Sequence, residues 1–230
     1  MGKEYFEGGP YGKQSQWIIK RNYKILFDYG KTVFPHLFER ELKILDFGCA
    51  FGVGASWLSK QVKGIIVGVD ISSYAIQKAK TFFPHNNMFF YKLDLSKELD
   101  NKFLIAKHGR FDVIFSRDTI EHLPKEKHEV TVKNFFRLLT NKGVVMASMA
   151  NGLNPYSYFC DRTHVGLRMP WSYSYLFKEC GFKIVKSFEK QGIPVSRRFK
   201  EDEQLIEVTI PLFGFVTYIF AKKIKEQKTR

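Results

Sequence analysis

Residues 43–54 read KILDFGCAFGVG, a short apolar run that ends in an acidic residue and opens into a glycine-rich turn. Residues 55–62 can continue from this turn as a helix. A strand, a glycine turn and a helix in this order are typical of a nucleotide-binding unit, because glycines let backbone N–H groups approach a ligand. Asp46, at the carboxyl end of the strand, can accept hydrogen bonds from a cationic or hydroxylated ligand.

The spacing of the small residues separates two kinds of nucleotide site. The dinucleotide fingerprint needs Gly-x-Gly-x-x-Gly, and Ala50 stands where its second glycine belongs. The spacing Asp-x-Gly-x-Ala-x-Gly instead resembles motif I of the Rossmann-like S-adenosylmethionine (SAM) methyltransferases, which usually have a third glycine at this position. We expect alanine to be tolerated there if its backbone keeps a negative φ. NAD binding is disfavoured by the spacing and by the lack of room for a second substrate domain.

Two further apolar runs also end in an acid. The run 64–70, GIIVGVD, is nearly all apolar, as a strand buried on both faces must be. Asp70 follows Asp46 by one βαβ unit, and a carboxylate at this strand tip can accept both ribose hydroxyls of an adenosine. The run 88–93 ends at Asp94, where the resemblance places an acid or a neighbouring backbone group opposite the adenine amino group.

Three later segments strengthen the resemblance because they follow in the family's order. They are DISSYAIQKAK at 70–80, FDVIFSRDTIEHL at 111–123 and LLTNKGVVMAS at 138–148. The resemblance therefore extends over about residues 40–150 and points to the type 11, type 23 and ubiquinone-type O-methyltransferase groups. It implies a three-layer α/β Rossmann-like fold with a seven-stranded, mostly parallel sheet whose strand seven is antiparallel. We expect residues 1–40 to form a small helical cap and residues 41–230 the SAM-binding domain.

The resemblance also assigns the SAM site residue by residue. We expect contacts from the first strand and turn, from the tips of the second and third strands, and from the end of the fourth strand. These residues are Asp46, Phe47, Gly48, Cys49, Ala50, Gly52, Asp70, Ile71, Asp94, Leu95, Ser116 and Arg117.

The remaining segments are assigned from periodicity and from turn residues. A helix is expected over about 14–29, ended by Gly30, and a turn at 141–143 is expected before a fifth strand at 144–150. A helix over 170–180 should end at Gly181, and strands six and seven should cover 182–188 and 215–221. Residues 151–166 read as a loop, and 195–204 as a polar, mobile segment. The first helix either packs on the sheet edge or closes over the cofactor.

The chain is strongly basic, with 37 Lys and Arg against 23 Asp and Glu, a net charge of +14 and a pI near 9.6. Nucleic acid, an anionic membrane surface or an acidic substrate would each suit such a charge. The excess is spread thinly, and only residues 222–230 are densely basic, so a general basic surface is favoured over a nucleic-acid groove. The 23 Phe residues indicate a Phe-packed core or an apolar acceptor pocket.

Cysteine usage and hydropathy indicate the cellular setting. Cys49, Cys160 and Cys180 lack Cys-x-x-Cys spacing, which disfavours a zinc site or a disulfide framework and favours a reducing compartment. The N-terminus does not read as a signal peptide, and the apolar stretch at 210–221 is shorter than the ~20 residues of a membrane span. We therefore expect a cytoplasmic protein without a transmembrane segment; its oligomeric state is left open.

His122 and His164 are the candidate catalytic bases. Both follow strands at the carboxyl edge of the sheet, where ligands of open α/β sheets bind. A base accelerates methylation of a phenol, a sugar hydroxyl or a protonated amine, whereas a carboxylate acceptor needs none. Structural alternatives stay open: His122 as a helix-entry residue and His164 as a loop anchor paired with Asp161. Contacts with the acceptor are expected from Tyr11, Trp17, Tyr156 and Asp161.

Asp118-x-x-Glu121-His122 resembles the Glu-x-x-Glu-His motif of ubiquinone-type O-methyltransferases, where these positions can hold a divalent ion. The first acid is shorter here, and such residues more often cap a helix, so no metal is expected. Cys160 reads as an inert thiol, since no base lies at a fixed spacing from it.

These patterns together predict a SAM-dependent methyltransferase that methylates an oxygen of a small or medium acceptor of phenolic, glycosidic or lipidic type. The net charge keeps an RNA or tRNA methyltransferase as one alternative. Ala50, as a departure from the motif, keeps a non-catalytic, methyltransferase-like partner subunit as another.

Overall fold

The computed structural model describes residues 3–8, 16–192, 207–208 and 216–224. Its centre is one sheet with the strand order β3-β2-β1-β4-β5-β8-β6-β7. The strands are β1 Leu42–Phe47, β2 Gly64–Asp70, β3 Met88–Lys92, β4 Phe111–Arg117, β5 Leu139–Ala150, β6 Phe182–Gly192, β7 Glu207–Val208 and β8 Val216–Lys223. Strands β1 to β5 pair in parallel, whereas β8 is antiparallel to both β5 and β6.

The predicted seven-stranded sheet with an antiparallel last strand is confirmed. The two-residue strand β7 is an addition at its edge, paired with the end of β6. The predicted strand at 215–221 is β8 in this count, and it inserts between β5 and β6.

Helices cover both faces of the sheet and make the fold three-layered. They are α1 Lys3–Glu7, α2 Gln16–Val33, α3 Val53–Leu58, α4 Ser73–Phe82, α5 Glu98–His108, α6 Lys125–Leu138, α7 Tyr156–Phe159 and α8 Pro170–Glu179, with short 3₁₀ helices at Pro35–Glu39 and Ile120–His122. Leu45 and Phe47 of β1 share a core with α6 and α8, whereas Ile44 shares a second core with α2 and α3. The alternation of side chains along β1 thus separates two apolar cores.

Gly30 does not end the first long helix, contrary to the sequence-based prediction. It is buried inside α2, which continues to Val33. A Cβ on Gly30 would lie 2.5 Å from the sulfur of Met146 in β5, so glycine permits close approach of helix and sheet. Glycine at position 30 is therefore explained by tertiary packing. From the local sequence alone, such a glycine cannot be distinguished from one that ends a helix.

Strand β5 begins five residues earlier than predicted. Residues 141–143 lie inside it, and the pairing with β4 is irregular between the pairs Phe111–Leu139 and Val113–Val144. Lys223 of β8 donates to the carbonyl oxygens of Phe136 and Leu139, at 2.7 and 3.2 Å, and so satisfies the end of α6. The helix can therefore pass directly into the strand without the expected turn.

Other boundaries follow the predicted chemistry closely. Ser72 caps α4 by accepting from the backbone N–H of Ala75, and Gly181, with φ 90°, follows the end of α8. The predicted loop at 151–166 contains the short helix α7. The prediction for 195–204 lies outside the described residues.

Helix α2, within the first 40 residues, packs against the sheet. Ile19, Tyr23 and Leu26 of α2 belong to the same core as β1 and β2. The division of the chain at residue 40 stays a prediction. None of the helices in the described ranges is long and apolar enough to cross a membrane.

Candidate active site

A cavity of about 630 Å³ lies at the carboxyl ends of the parallel strands. This is the edge where open α/β sheets bind ligands, and the volume is typical of a small-molecule site. Residues from α1, α2, the glycine turn, the tips of β2 and β3, and the loops after β4 and β5 line it. Segments far apart in sequence therefore meet in one site.

The glycine turn is held in left-handed conformations by the end of β2. Gly48 and Gly52 have φ of 77°, and Ala50 has φ of 48°, so alanine occurs here without the negative φ under which it was expected to be tolerated. The backbone N–H of Ala50 donates to the Asp70 carboxylate at 3.0 Å, and that of Gly48 donates to the Val69 carbonyl at 2.9 Å. These bonds hold alanine in a conformation that costs about 1–2 kcal/mol for a residue with a Cβ.

Asp46 lies fully buried and is not among the residues that line the cavity. The hydroxyl of Tyr23 donates to its two carboxylate oxygens at 2.9 and 3.2 Å, and Tyr23 itself lines the cavity. A Cβ on Gly54 would lie 2.0 Å from the Tyr23 ring, so this glycine makes room for the ring. Burial raises the pKa of Asp46 to about 7, against the lowering effect of the Tyr23 hydrogen bond.

Asp70 lines the cavity with both carboxylate oxygens already oriented. One oxygen accepts from the N–H of Ala50 and the other from the N–H of Ser72 at 2.9 Å. Each carboxylate oxygen can accept a second hydrogen bond, so the group can still receive ligand hydroxyls. Burial raises the pKa of Asp70, with the backbone donors acting in the opposite direction.

The tip of β3 provides a second acidic wall. Asp94 and Leu95 both line the cavity, as Ile71 does on the β2 side. Asp94 accepts from the N–H and the hydroxyl of Ser96, at 3.0 and 2.6 Å, and these bonds together with the Lys127 charge outweigh desolvation and lower its pKa. This wall and Asp70 line the part of the cavity at the tips of β2 and β3.

The predicted cofactor contacts divide into two groups. Phe47, Gly48, Cys49, Ala50 and Arg117 line the cavity together with the acids of β2 and β3. Asp46, Gly52 and Ser116 are not among the lining residues; Ser116 is fully buried in β4, and Gly52 packs against the side chains of Phe90 and Ala79.

The predicted acceptor contacts also fall in different places. Tyr156 and Asp161 line the cavity, whereas Trp17 is not among the lining residues. The guanidinium carbon of Arg21 lies over the Trp17 ring, 5.5 Å from its centroid. Tyr11 lies outside the described residues. Their roles in acceptor binding stay predictions.

The two candidate bases lie side by side in the part of the cavity that the loops after β4 and β5 line. The ring centroids of His122 and His164 are 4.8 Å apart, and both residues line the cavity. His122 Nδ1 lies 2.8 Å from the hydroxyl oxygen of Thr163, which lies 2.6 Å from a carboxylate oxygen of Asp161. Because a carboxylate only accepts, the Thr163 hydroxyl donates to Asp161 and accepts from His122 Nδ1–H. This arrangement leaves a lone pair on His122 Nε2.

His164 has the same tautomer for a different reason. Its Nδ1 lies 2.7 Å from the carbonyl oxygen of Ser157, to which it donates. Burial, together with the neighbouring His164, lowers the pKa of His122 to about 4. In the neutral tautomer that these hydrogen bonds favour, each ring has its free lone pair on Nε2.

Several lining residues were not among the predicted site residues, and two of them, Tyr5 and Glu121, lie next to the histidines. Tyr5 of α1 donates to the second Asp161 oxygen at 3.4 Å, and its ring lies 6.0 Å from that of His122. Glu121 is fully buried and accepts from the N–H of Ala150 at 2.9 Å; burial, with a contribution from Asp118, raises its pKa to about 8. The five-residue helix α1 has no sequence period that would have identified Tyr5. Glu121 was visible in the sequence only as part of a linear motif.

Residues 19–187 match a family model described as a methyltransferase domain, of type 23. The chain belongs to this methyltransferase family. The predicted family, enzyme class and SAM cofactor are thereby confirmed. The assignment of individual residues to SAM stays a prediction.

The chain resembles two curated proteins that are both called phosphoethanolamine N-methyltransferases. It is 28% identical to phosphoethanolamine N-methyltransferase 1 of Arabidopsis thaliana over 155 residues, which cover 62% of this chain and 29% of that protein. It is 22% identical to the Plasmodium falciparum (isolate 3D7) protein over 206 residues, 82% of this chain and 74% of that protein. The chain thus spans less than a third of the Arabidopsis protein and about three quarters of the Plasmodium one.

A solved structure of a SAM-dependent methyltransferase from Archaeoglobus fulgidus shares the fold. Its TM-score is 0.69 at 18% sequence identity, over 95% of this chain and 99% of that one. At this identity the likeness concerns the fold.

Proposed function

We propose that this methyltransferase transfers a methyl group to the nitrogen of a small amine. The observation that carries the proposal is the group of acceptor atoms that the loops after β4 and β5 bring together in the cavity. His122 and His164 present unprotonated Nε2 atoms there, beside the carboxyl oxygens of Asp161 and Glu121. A ligand that satisfies these acceptors must bring N–H or O–H donors, and a primary ammonium brings three.

The part of the cavity at the tips of β2 and β3 would hold the adenosine of SAM. Asp70 would accept from the ribose hydroxyls, Asp94 or the backbone of Leu95 would face the adenine, and residues 47–50 would border the amino acid portion. Bound SAM supplies a methyl group on a sulfonium, which is a good leaving group. The residues of the chain then act mainly by alignment, which can contribute about 7–11 kcal/mol to lowering a barrier.

A protonated amine must lose a proton before its nitrogen can attack. His122 Nε2 is the proposed acceptor of that proton, since Thr163 and Asp161 fix the proton of the ring on Nδ1. Asp161 would also stabilise the imidazolium that forms, as a carboxylate does for an oriented histidine. A base in this position is worth about 10²–10⁴ in rate.

The relatives named phosphoethanolamine N-methyltransferases support nitrogen as the methylated atom and suggest the first acceptor to test. O-methylation stays the alternative, because the same base can deprotonate a phenol or a sugar hydroxyl. The net charge of +14 keeps RNA as a further alternative. The three cysteines are free thiols, which supports the proposed cytoplasmic location.

A methyl-transfer assay with labelled SAM tests the proposal. The acceptors are phosphoethanolamine, ethanolamine, a catechol, a sugar and unmodified tRNA, and the buffer contains a metal chelator. The expected result is label in an amine and none in the other acceptors. Label only in a hydroxyl compound or in tRNA, or SAM binding without transfer to any acceptor, would contradict it.

A further inference from the structure

Three potential ligand atoms converge beside the proposed acceptor position. Glu121, His122 and His164 each have one such atom within 4.8 Å of the other two. Glu121 and His122 lie on the 3₁₀ helix Ile120–His122, whereas His164 comes from the loop after β5. The fold thus brings together groups that the linear sequence separates.

Hydrogen bonding leaves these three groups with free lone pairs. Nδ1 of each histidine donates, to the Thr163 hydroxyl or to the Ser157 carbonyl, so each Nε2 is an acceptor. Oε1 of Glu121 accepts from the backbone of Ala150, whereas Oε2 is buried and lacks a hydrogen-bond partner within the described ranges. A buried oxygen without a donor is costly, and a cation would satisfy it together with both nitrogens.

Two residues of the linear motif Asp118-x-x-Glu121-His122 belong to this site, but Asp118 does not. The Asp118 carboxylate lies 2.6 Å from Arg117 and accepts from the Ser148 hydroxyl at 2.8 Å. It is not part of the converging group. His164 takes the third position instead.

We propose that Glu121, His122 and His164 bind a divalent transition-metal ion of the Zn²⁺ class. Two imidazole nitrogens and one carboxylate oxygen suit Zn²⁺, Co²⁺ or Ni²⁺, whereas Mg²⁺ and Ca²⁺ prefer oxygen ligands only. Both histidines already donate Nδ1–H to an oxygen, which is how ligating histidines are generally oriented. With three protein ligands, a fourth position stays open toward the cavity.

Metal binding at this site has a direct consequence for catalysis. An ion on His122 Nε2 occupies the lone pair that the proposed function assigns to proton transfer. The ion is therefore an inhibitor that competes with the amine. This consequence rests on the proposed function, whereas metal binding itself does not.

Titration of the full chain with Co²⁺ and Zn²⁺, without SAM or acceptor, tests the site. We expect one ion per chain, visible absorption bands of low-symmetry Co²⁺, and displacement of Co²⁺ by Zn²⁺. His164→Ala should abolish the bands, and Thr163→Val, which removes only the orienting hydroxyl, should weaken binding about 10–100-fold. His36→Ala is the matched control, because His36 is exposed, contacts Glu39 and is not among the residues that line the cavity. Circular dichroism and SAM titration check that each variant folds.

The inference is overturned if the wild-type chain binds no Co²⁺ or if His164→Ala binds it as tightly as the wild type. The two proposals fail separately. Amine methylation in chelator without any metal binding would refute only the metal site. Metal binding that depends on His164, without methylation of an amine, would refute only the proposed function.

Discussion

The hydroxyl of Tyr23 donates to both carboxylate oxygens of Asp46, at 2.9 and 3.2 Å, and joins helix α2 to the end of β1. The Tyr23 ring stacks on Phe115 at 5.2 Å and fills the space that Gly54 leaves. The glycine turn therefore rests on a buried hydrogen bond to the N-terminal helix. Asp46, the acid of the motif, therefore supports the turn from the protein interior. Tyr23, and not Asp46, lines the cavity.

Tyr23→Phe should destabilise the fold and weaken SAM binding. The change removes the only side-chain donor that the structure records for the Asp46 carboxylate within the described ranges, and leaving such a group unsatisfied costs about 1–3 kcal/mol. Urea denaturation measures the stability and calorimetry the SAM affinity. Tyr175→Phe, at an exposed tyrosine, is the control. Equal stability of Tyr23→Phe and the wild type would refute the role of this bond.

Asp46 should make the protein less stable as the pH rises. Its pKa is raised from 3.8 to about 7 in the folded state, so between these values the folded chain keeps a proton that the unfolded chain has lost. The free energy of unfolding therefore falls with rising pH through this window. Asp46→Asn lacks this ionisation and should show a flatter dependence in urea denaturation at several pH values. An unchanged slope would mean that Asp46 is ionised at ordinary pH.

Asp70→Ala should weaken SAM more than any change outside the cavity. The carboxylate is proposed to accept from the ribose hydroxyls, and each hydrogen bond to a charged group is worth about 1.5–3 kcal/mol. It also orients the N–H of Ala50, so the turn should loosen. Calorimetry with SAM and its demethylated product measures the loss. Asp28→Ala, at an exposed ion pair with Lys24, should bind like the wild type, and equal affinity of both variants would refute the ribose assignment.

Ala50→Gly should stabilise the protein, although glycine usually destabilises a structured segment. Alanine at φ 48° carries about 1–2 kcal/mol of strain, and glycine removes it while adding about 0.4–1 kcal/mol of unfolded-state entropy. The expected net gain is about 0–1.6 kcal/mol in the free energy of unfolding. Ala75→Gly, in the first turn of α4, should instead lose stability. A loss at Ala50 of the same size as that at Ala75 would show that the left-handed conformation is not strained.

Much of the fold could be predicted from the sequence because the signals are local. The run 64–70 coincides with β2, and Ser72 and Gly181 mark helix ends through their own chemistry. The missed features depend on distant partners. Glycine at position 30 leaves room for Met146. Strand β5 begins early at Leu139, whose carbonyl oxygen accepts from Lys223.

The site shows the same division between local and distant information. The strand-end acids Asp70 and Asp94 and the histidines His122 and His164 were identified from position along the chain, and all four line one cavity. No local sequence pattern predicted that Tyr23 would lie between Asp46 and that cavity. The proximity of Glu121 to His164 could not be predicted from local sequence either, because it arises where two loops meet.

The most direct measurement is the turnover of labelled SAM with phosphoethanolamine, in chelator, by the wild type and by His122→Ala. We expect label on nitrogen by NMR for the wild type and a drop in kcat of about 10²–10⁴ for the variant, with SAM affinity unchanged. Label on an oxygen, or a variant that turns over as fast as the wild type, would contradict it.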